Sequence, residues 1–337
     1  RRQRQMCIRD SYMTASTIPS IGIDFGGTSI KMGVVKGAEV IAHAPSIATQ
    51  EYGNPDQLIE AIAQFVNMLR LNHPEVQAIG MGMPGFVNFY QGTVYTLTNV
   101  PGWNNVPVRD MLQAACGLPV YVENDANCMA YAEWKMGAGR GMSSLVCLTM
   151  GTGIGGGIVV HDRMLRGRRL SAAELGQTSI HYQGKTGPFG SRGAIEEYIG
   201  NNELAAEAVK RYAGAGIIKT VDECTPRHLD EAARSGCPIA LQLWEDTAEM
   251  LGCLIMNLMY TLVPDAFIIG GGVAKAGDLL MKPLLENLRK QLFPLLMEDL
   301  KILPARFGAE AGLLGAGAMA MDEFMGMGIL ERFKNQK

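Results

Sequence analysis

The stretch that decides the fold is IGIDFGGTSIKMGVV at residues 21–35. Apolar residues alternate on both sides of a small-residue centre, at Ile21, Ile23, Phe25, Ile30, Met32 and Val34. An alternation of period two is typical of strands, and glycines between two such runs are typical of a tight turn. The stretch is therefore predicted to form a β-hairpin with Gly26 and Gly27 in its turn.

A second stretch of the same kind, LVCLTMGTGIGGGIVV, lies at residues 145–160. It again places a turn of small residues between two apolar strands. Self-similarity of this kind predicts two copies of one β-rich unit, one opening each domain. A length of 337 residues agrees with two domains. We expect the boundary to lie in a short connection near 125–140.

The remainder of the chain alternates between helical and strand-like apolar spacing. The spacing predicts helices over 55–71, 110–116, 127–136, 203–213, 227–234, 238–263, 278–297 and 308–325. It predicts further strands over 78–83, 120–122 and 266–269. Strands interleaved with helices indicate the α/β class.

Charge and cysteine content exclude several classes of protein. The net charge is −3 and no basic block lies in the body of the chain, which argues against nucleic acid as a partner. Seven cysteines without a C-x-x-C pair make neither a disulfide framework nor a zinc site, and indicate buried thiols in a reducing compartment. The most apolar stretch, 250–263, is too short to cross a membrane, and no apolar segment of a signal peptide follows the basic start. We expect a cytoplasmic protein without a membrane partner.

The first twelve residues, RRQRQMCIRDSY, do not resemble the rest of the chain. They look more like translated sequencing-adapter read-through than a targeting signal. Residues 1–12 are therefore expected to be a non-native or disordered leader, with Met13 as the true start.

Three glycine-rich turns each follow a short apolar strand, at residues 24–29, 151–157 and 270–272. Phosphate groups are bound well by backbone N–H groups, and glycine lets the backbone approach them closely. Three such turns favour a nucleotide as ligand.

Two familiar nucleotide motifs fail on inspection. Gly184-Lys185-Thr186 would end a P-loop, but the position of its first glycine is occupied by Ser179. A G-x-G-x-x-G pattern begins at Gly151, but residues 158–160 continue as a strand where a dinucleotide site requires a helix. A dehydrogenase is therefore disfavoured.

Four carboxylates are candidate functional groups: Asp24, Asp125, Glu174 and Glu196. Asp24, at the tip of the first strand, either holds Mg²⁺ or caps its own hairpin. Asp125 follows a strand and precedes a helix, so it is either the helix N-cap or an acceptor for a substrate proton. Glu174 and Glu196 either bind adjacent sugar hydroxyls or lie on the surface. The residues alone leave these alternatives open.

These features belong to one ordered set of sequence runs. The runs are Ile23–Lys31, Met83–Phe86, Thr98–Trp103, Glu123–Asn127, Gly151–Gly157, Ala173–Gly176, Gly190–Glu196 and Ile269–Val273. With this set the chain resembles the sugar kinases of the ROK family, within the actin-like and hexokinase-like ATPase superfamily. The resemblance covers residues from about 18 to 320, nearly the whole chain after the leader.

The resemblance implies two ribonuclease-H-like domains of the actin-like ATPase type, with an interdomain cleft. The implied lobes are 18–125 with the C-terminal helix 308–330, and 126–307. The cleft is expected to take ATP and Mg²⁺ on one side and an aldohexose on the other. A homodimer that acts in glycolysis is implied as well.

The resemblance also assigns roles to residues. Those implied for the nucleotide are Asp24, Gly26, Gly27, Thr28, Lys31, Gly151, Thr152, Gly153, Gly271 and Gly272. Those implied for the sugar are Gly85, Asn99, Asn124, Asp125, Glu174, Gln177 and Glu196. Asp125 is implied as the general base, and Asp24 as the Mg²⁺ ligand, directly or through water. Thr28 and Lys31 have solvent exposure as an equally simple interpretation.

The chain departs from the family pattern at two places. Members usually carry a zinc knuckle, C-x-C-G-x-x-G-C-x-E, but the corresponding frame 187–196 keeps only the glycines and Glu196. The position of the usual histidine is Gln177. No zinc site is expected, and because polyphosphate-using glucokinases also lack the knuckle, polyphosphate is an alternative to ATP.

Glucose is the expected substrate, and four alternatives remain within the kinases: N-acetylglucosamine, N-acetylmannosamine, fructose and mannose. An alternative of another class is a non-catalytic regulator that senses sugar. Such regulators place a helix-turn-helix module before the first phosphate turn, and about ten residues between Met13 and Asp24 are too few for one.

Overall fold

A computed structural model describes residues 18–97, 100–169, 172–187 and 190–334. The chain divides into two units. The first unit comprises the described residues up to Arg140, Met164–Ala172, and the residues from Ala309 onward. The second comprises Gly141–Arg163 and Ala173–Gly308.

The sheet of the first unit is built on the predicted hairpin. Its strands are β1 (Ser20–Phe25), β2 (Ser29–Lys36), β3 (Glu39–His43), β4 (Ile47–Ala48), β5 (Ile79–Met83) and β9 (Val120–Asn124). The order is β3-β2-β1-β5-β9, with β4 beside β2. β1 and β2 pair antiparallel, whereas β1, β5 and β9 run parallel. The carboxyl ends of these three strands therefore meet at one edge.

A small three-stranded sheet completes the strands of the first unit. It consists of β6 (Val87–Asn88), β7 (Thr93–Thr96) and β8 (Asn104–Val106). The helices of this unit are α1 (Pro55–Asn72), α2 (Val108–Cys116), α3 (Asp125–Lys135) and the C-terminal helix, Ala311–Lys334. Helix α1 begins as its sequence predicts, with Asn54 accepting a hydrogen bond from Gln57 and Pro55 as the first helical residue.

The C-terminal helix, Ala311–Lys334, lies directly against β1, β5 and α3. A Cβ added to Gly315 would fall 1.7 Å from the carbonyl oxygen of Cys128, and one added to Gly80 would fall 1.8 Å from that of Ala316. Side chains at these glycines would push the helix off the sheet. The Ala- and Gly-rich sequence therefore gives the close packing that it predicts.

The second unit repeats this sheet. Its strands are β10 (Leu145–Met150), β11 (Ile154–Val160), β12 (Arg163–Met164), β13 (Ala266–Gly270) and β14 (Ile302–Pro304). They follow the order β12-β11-β10-β13-β14, with β10 antiparallel to β11 and parallel to β13. The helices are α4 (Glu196–Ile199), α5 (Asn201–Gly214), α6 (Pro226–Arg234), α7 (Pro238–Leu262), α8 (Asp278–Gln291) and α9 (Pro294–Asp299).

The two sheets thus share one strand order. In each, the first strand of an antiparallel hairpin pairs on its other side with a parallel strand, and a further parallel strand follows. This is the ribonuclease-H-like order, and the prediction of an α/β fold is confirmed. Each unit has its own hydrophobic core.

Two elements differ from expectation. The helix predicted over 278–297 ends at Gln291 and a new one starts at Pro294, because proline lacks an N–H donor and disfavours helix in the residue before it. Helix α3 was expected in the second lobe, which began at residue 126. It belongs to the first unit, because it packs against the C-terminal helix and follows directly on β9.

The leader, residues 1–12, lies outside the described residues. The six cysteines in the described part of the chain form no disulfide, and Cys116, Cys128, Cys147 and Cys224 are buried. The apolar stretch 250–263 falls within α7 and just after it. Among the described residues, no helix combines the length and the apolar character needed to cross a membrane.

Candidate active site

Asp24 lies at the carboxyl edge of the first sheet, one residue before the end of β1. Its partner across the hairpin is Lys31. A Cβ added to Gly312 would fall 2.9 Å from the Asp24 carboxyl carbon, so the carboxyl group faces the first turn of the C-terminal helix. Burial raises the pKa of Asp24 and the charge of Lys31 opposes this shift. Asp24 is therefore a poorly solvated carboxylate for which a further cation would be favourable.

Asn124 joins two neighbouring strand ends. Its Oδ1 accepts a hydrogen bond of 3.1 Å from the backbone N–H of Asn127, and its Nδ2 donates one of 3.2 Å to the carbonyl of Gly85. Asn124 is therefore the N-cap of α3. This corrects the alternative that Asp125 is the cap, since Asp125 is the first residue inside the helix.

Asp125 is largely buried at this edge. Its Oδ1 accepts a hydrogen bond of 2.8 Å from the N–H of Ala126. Burial raises the pKa of Asp125 to about 6, with the Ala126 hydrogen bond lowering it and the nearby charge of Asp24 raising it further. Such a carboxyl group is ionised at neutral pH and more basic than an ordinary aspartate. Both properties suit a general base.

The first glycine turn is held by hydrogen bonds from within its own hairpin and from Thr49. Gly26 donates a hydrogen bond of 3.0 Å to the carbonyl of Ser29. Thr49 is fully buried, and it donates from its backbone N–H to the Thr28 carbonyl and from its hydroxyl to the Gly27 carbonyl, each over 3.1 Å. The tip, with Gly27 and Thr28, is exposed. Lys31 is exposed too.

The second glycine turn is tied to Glu196. The Oε2 atom of Glu196 accepts a hydrogen bond of 2.8 Å from the N–H of Ile154. A Cβ added to Gly153 would fall 2.3 Å from that same oxygen. The glycine is thus required for the carboxylate to lie against the turn, and Glu196 is more than a surface residue.

Gln177 completes this arrangement from the other side. Its Nε2 donates a hydrogen bond of 3.0 Å to Oε1 of Glu196. Its Oε1 is buried and has no hydrogen-bond partner among the described residues. A buried acceptor of this kind is unfavourable unless a further donor binds there. Glu174 directly precedes the short helical turn Leu175–Gln177 and is exposed.

The third glycine turn meets the second. Gly271 has a φ of +93°, and a Cβ added to it would fall 2.3 Å from the carbonyl oxygen of Met150, the residue before Gly151. Gly151 accepts a hydrogen bond of 2.9 Å from the N–H of Asn201. Thr152 at this turn is exposed, and a Cβ added to Gly272 would meet nothing within 4 Å. Asn99, the remaining predicted site residue, lies outside the described residues.

Comparison with known proteins shows the family of the chain. The ROK family model matches residues 20–323. The chain belongs to the ROK family. It is 34% identical over 313 residues to the glucokinase of Streptomyces coelicolor, covering 90% of this chain and 98% of that protein.

Two solved structures are similar to this ROK chain. The ROK family glucokinase from Streptomyces griseus, in complex with glucose and AMPPNP, is 33% identical, with a TM-score of 0.75 over 90% of this chain and 99% of that one. The ROK hexokinase from Thermus thermophilus is also 33% identical, with a TM-score of 0.79 over 91% and 99%. The chain therefore shares the glucokinase-like ROK fold along nearly its whole length.

The frame of the missing zinc knuckle is held by hydrogen bonds in this ROK chain. The backbone N–H of Gly187 donates to the Ser191 carbonyl over 2.8 Å, and that of Gly193 donates to the Lys185 carbonyl over 2.7 Å. The Lys185 ammonium group donates to the carbonyl of Glu197 in α4 over 2.7 Å. Over the described ranges, no group of three or more His, Cys, Asp or Glu residues is placed to hold a metal. The absence of zinc stays a prediction.

Sequence reasoning missed three residues near the site. Thr49 carries no motif, and only the tertiary structure brings it to the first glycine turn. Glu123 lies in the family run Glu123–Asn127, and the resemblance assigns it no role. It is 2% exposed and forms an ion pair with Arg166, with Nε and Oε2 2.6 Å apart. The sequence signal was weak, because the two residues are 43 positions apart.

Proposed function

We propose that the chain transfers the terminal phosphoryl group of ATP to a hydroxyl group of an aldohexose, with glucose as substrate and glucose 6-phosphate as product. Its membership of the ROK family and its similarity to glucokinases over 90% of its length make it a hexokinase-type phosphotransferase. The observation that carries the finer proposal is the largely buried carboxyl group of Asp125 at the carboxyl edge of the first sheet.

Asp125 acts as the general base. As the sugar hydroxyl oxygen forms its bond to the terminal phosphorus, the bond from that phosphorus to the bridging oxygen of ADP breaks. The hydroxyl proton passes to the Asp125 carboxylate, which later releases it to water. The hydrogen bond from Ala126 holds one oxygen, Oδ1, and so orients the carboxyl group before the substrate arrives.

The glycine turns supply backbone donors for the phosphates. The carbonyls of Gly27 and Thr28, at the exposed tip, both accept hydrogen bonds from Thr49, which supports a preformed turn. In the second unit, Gly151 and Gly271 lie at the ends of paired strands β10 and β13. N–H groups held in this way bind phosphate oxygens without reorganisation.

Asp24 fits a magnesium ion. Mg²⁺ in nucleotide sites is bound by one or two carboxylates, by water and by phosphate oxygens. The raised pKa of Asp24 marks a buried carboxylate that would gain from a neighbouring cation. When bound, the ion would offset the charge that develops on the phosphoryl oxygens.

The sugar is held by polar groups that are already oriented. Glu196 is fixed by Ile154 and Gln177, and the unpartnered Oε1 of Gln177 is an acceptor for a sugar hydroxyl. In the first unit, Asn124 and the Gly85 segment border Asp125. Glu174 and Asn99 keep the sugar-binding roles that the family resemblance implies. We further propose a cytoplasmic, homodimeric enzyme of glycolysis.

A coupled assay of the purified protein tests the proposal. The acceptors are glucose, mannose, fructose, N-acetylglucosamine and N-acetylmannosamine, and the donors are ATP and polyphosphate, each with and without Mg²⁺. We expect the highest kcat/KM with glucose, ATP and Mg²⁺, and mass spectrometry should identify glucose 6-phosphate. Turnover of N-acetylglucosamine or N-acetylmannosamine alone would show that the substrate is an acetamido sugar and not glucose. Sugar binding without turnover by any donor would instead indicate a regulator.

A further inference from the structure

The buried ion pair between Glu123 and Arg166 lies beside the proposed base. Glu123 is the second-last residue of β9 and precedes Asp125 by two positions. Its side chain is 2% exposed and that of Arg166 is 17% exposed. A carboxylate buried to this degree is strongly destabilising unless a cation and hydrogen-bond donors surround it.

Glu123 uses its two oxygens for different purposes. Oε2 accepts the short hydrogen bond from Nε of Arg166. Oε1 accepts one of 2.9 Å from the backbone N–H of Asn124 and one of 3.1 Å from Nδ2 of Asn127. The Glu123 carboxylate thus binds the residues on either side of Asp125 in the turn, Asn124 and Asn127.

Arg166 reaches this corner from a distant part of the sequence. Its guanidinium group lies 3.9 Å from the ring centre of Phe89, which is itself buried. The cation is therefore fixed on one face by the ring and along one edge by Glu123. Arg166 interacts electrostatically with Cys128 and Tyr131 on α3 and with Glu323 on the C-terminal helix. The charges of Asp24, Glu123 and Asp125 act on the same Cys128 thiol.

We propose that Arg166 is a positioning residue for Asp125: by keeping Glu123 paired, it holds the turn from Asn124 to Asn127 in the geometry that presents the base to the sugar hydroxyl. This inference rests on the proposed function. Arg166 contacts Glu123 and Phe89, so we assign its effect on Asp125 to the carboxylate of Glu123.

A positioning role for the Glu123–Arg166 ion pair can be distinguished from an ordinary stabilising role by measurement. A stabilising pair affects how much protein is folded, but leaves the activity of each folded molecule unchanged. A positioning pair affects kcat of the folded enzyme, because a misplaced base costs rate without costing ground-state binding.

Four variants test the inference: Arg166→Met, Arg166→Lys, Glu123→Gln and the double variant Glu123→Gln/Arg166→Met. In Arg166→Met the lone Glu123 carboxylate disturbs the turn, and we expect kcat to fall about 10- to 100-fold. The KM for ATP, whose proposed binding residues lie outside this turn, should change by less than about threefold. Arg166→Lys retains the charge but not the stacked planar group, so its kcat should be intermediate.

The double variant tests whether the unpaired charge of Glu123 causes the loss of kcat in Arg166→Met. Glutamine at position 123 retains an oxygen for the Asn124 N–H group and removes the buried charge. The double variant should therefore recover at least about tenfold of the kcat lost in Arg166→Met, since removing both charges is less harmful than removing one. Urea unfolding of each variant gives the folded fraction by which kcat is corrected. If Arg166→Met does not fold, the kcat of Arg166→Lys carries the test, and a corrected kcat within about twofold of wild type in that variant would then overturn the inference.

Corrected kcat values within about twofold of wild type in Arg166→Met, or no recovery in the double variant, would overturn the inference. A wild-type protein without activity on any sugar would overturn the proposed function instead. The two failures are thus distinguishable.

Discussion

The Nε2 atom of Gln177 lies 3.0 Å from Oε1 of Glu196 and donates a hydrogen bond to it. The second oxygen of the same carboxylate is held by the N–H of Ile154. A neutral amide at position 177 therefore orients Glu196 without adding a titrating group, and leaves its own oxygen for a ligand. Residue 177 is one of the two places where the sequence predicts a departure from the family pattern, so this relationship bears on the proposed sugar recognition.

Replacing Gln177 by Leu should weaken sugar binding. The change removes the donor to Glu196 and the free acceptor while retaining the approximate side-chain volume. We expect the KM for glucose to rise about tenfold or more, with the KM for ATP little changed, because one or two hydrogen bonds to charged or buried groups are lost. Steady-state kinetics with Thr178→Val as the neighbouring control checks this. Equal increases in both KM values would show a general disturbance of the unit.

Replacing Asp125 by Asn should abolish most catalysis. Asparagine retains the shape and one acceptor for the Ala126 N–H, but it does not accept a proton near neutral pH. Loss of a general base costs about 10²- to 10⁴-fold, and the loss should fall on kcat. The matched control is Asn124→Ala, which removes the actual helix cap and should cost about 1 kcal/mol of stability. A kcat for Asp125→Asn within about threefold of wild type would contradict the role.

The ionisation of Asp125 should by itself lower the free energy of unfolding at neutral pH relative to that below pH 4. Its folded pKa, about 6, is raised above the ordinary value of 3.8 by burial, so between these values the native state binds more protons than the unfolded state. Stability therefore falls as the pH rises from about 4 to about 6, by an amount of about 3 kcal/mol. Asp125→Asn does not ionise and so avoids this loss of stability. Its urea midpoint should exceed that of wild type at pH 7.5 but not at pH 4. Equal midpoints at pH 7.5 would show that Asp125 ionises freely in the folded protein.

Gly153→Ala should displace Glu196. The added Cβ would fall 2.3 Å from Oε2, so the carboxylate must leave the N–H of Ile154. We expect a loss of about 1–3 kcal/mol in the free energy of unfolding and a higher KM for glucose. Gly151→Ala is the control in the same turn, since its Cβ would meet nothing within 4 Å. Thermal unfolding should leave Gly151→Ala close to wild type, and a similar loss in both variants would argue against the contact with Glu196.

The purified protein should contain no stoichiometric zinc. Structural zinc sites require thiolate or imidazole ligands, and the knuckle frame offers none of them. Lys185 instead ties this loop to α4 through the carbonyl of Glu197. Elemental analysis should find well under one zinc per chain, and a chelator should leave the melting temperature unchanged. About one zinc that survives dialysis would contradict the prediction.

The sequence by itself determined the class of fold and its repetition. Alternation in the hairpins at 21–35 and 145–160 is a property of neighbouring residues, and each hairpin forms where that pattern lies. Pro294 carried a signal of the same local kind, a helix break that the apolar spacing of 278–297 obscured. The candidate carboxylates were also visible, because strand ends beside glycine turns are recognisable in sequence.

Only the tertiary structure decided the surroundings of those carboxylates. Asn124 and Asp125 are equally good helix caps by residue type, and the choice between them follows from the Asn127 N–H and the Gly85 carbonyl around Asn124. The basicity of Asp125 follows from burial and from Asp24, which lies about a hundred residues earlier but two strands away in the parallel sheet. Thr49 and Arg166 reach their partners in the same way. Local pattern fixes secondary structure, whereas solvation and charge depend on neighbours that the chain brings together only when its strands are in register.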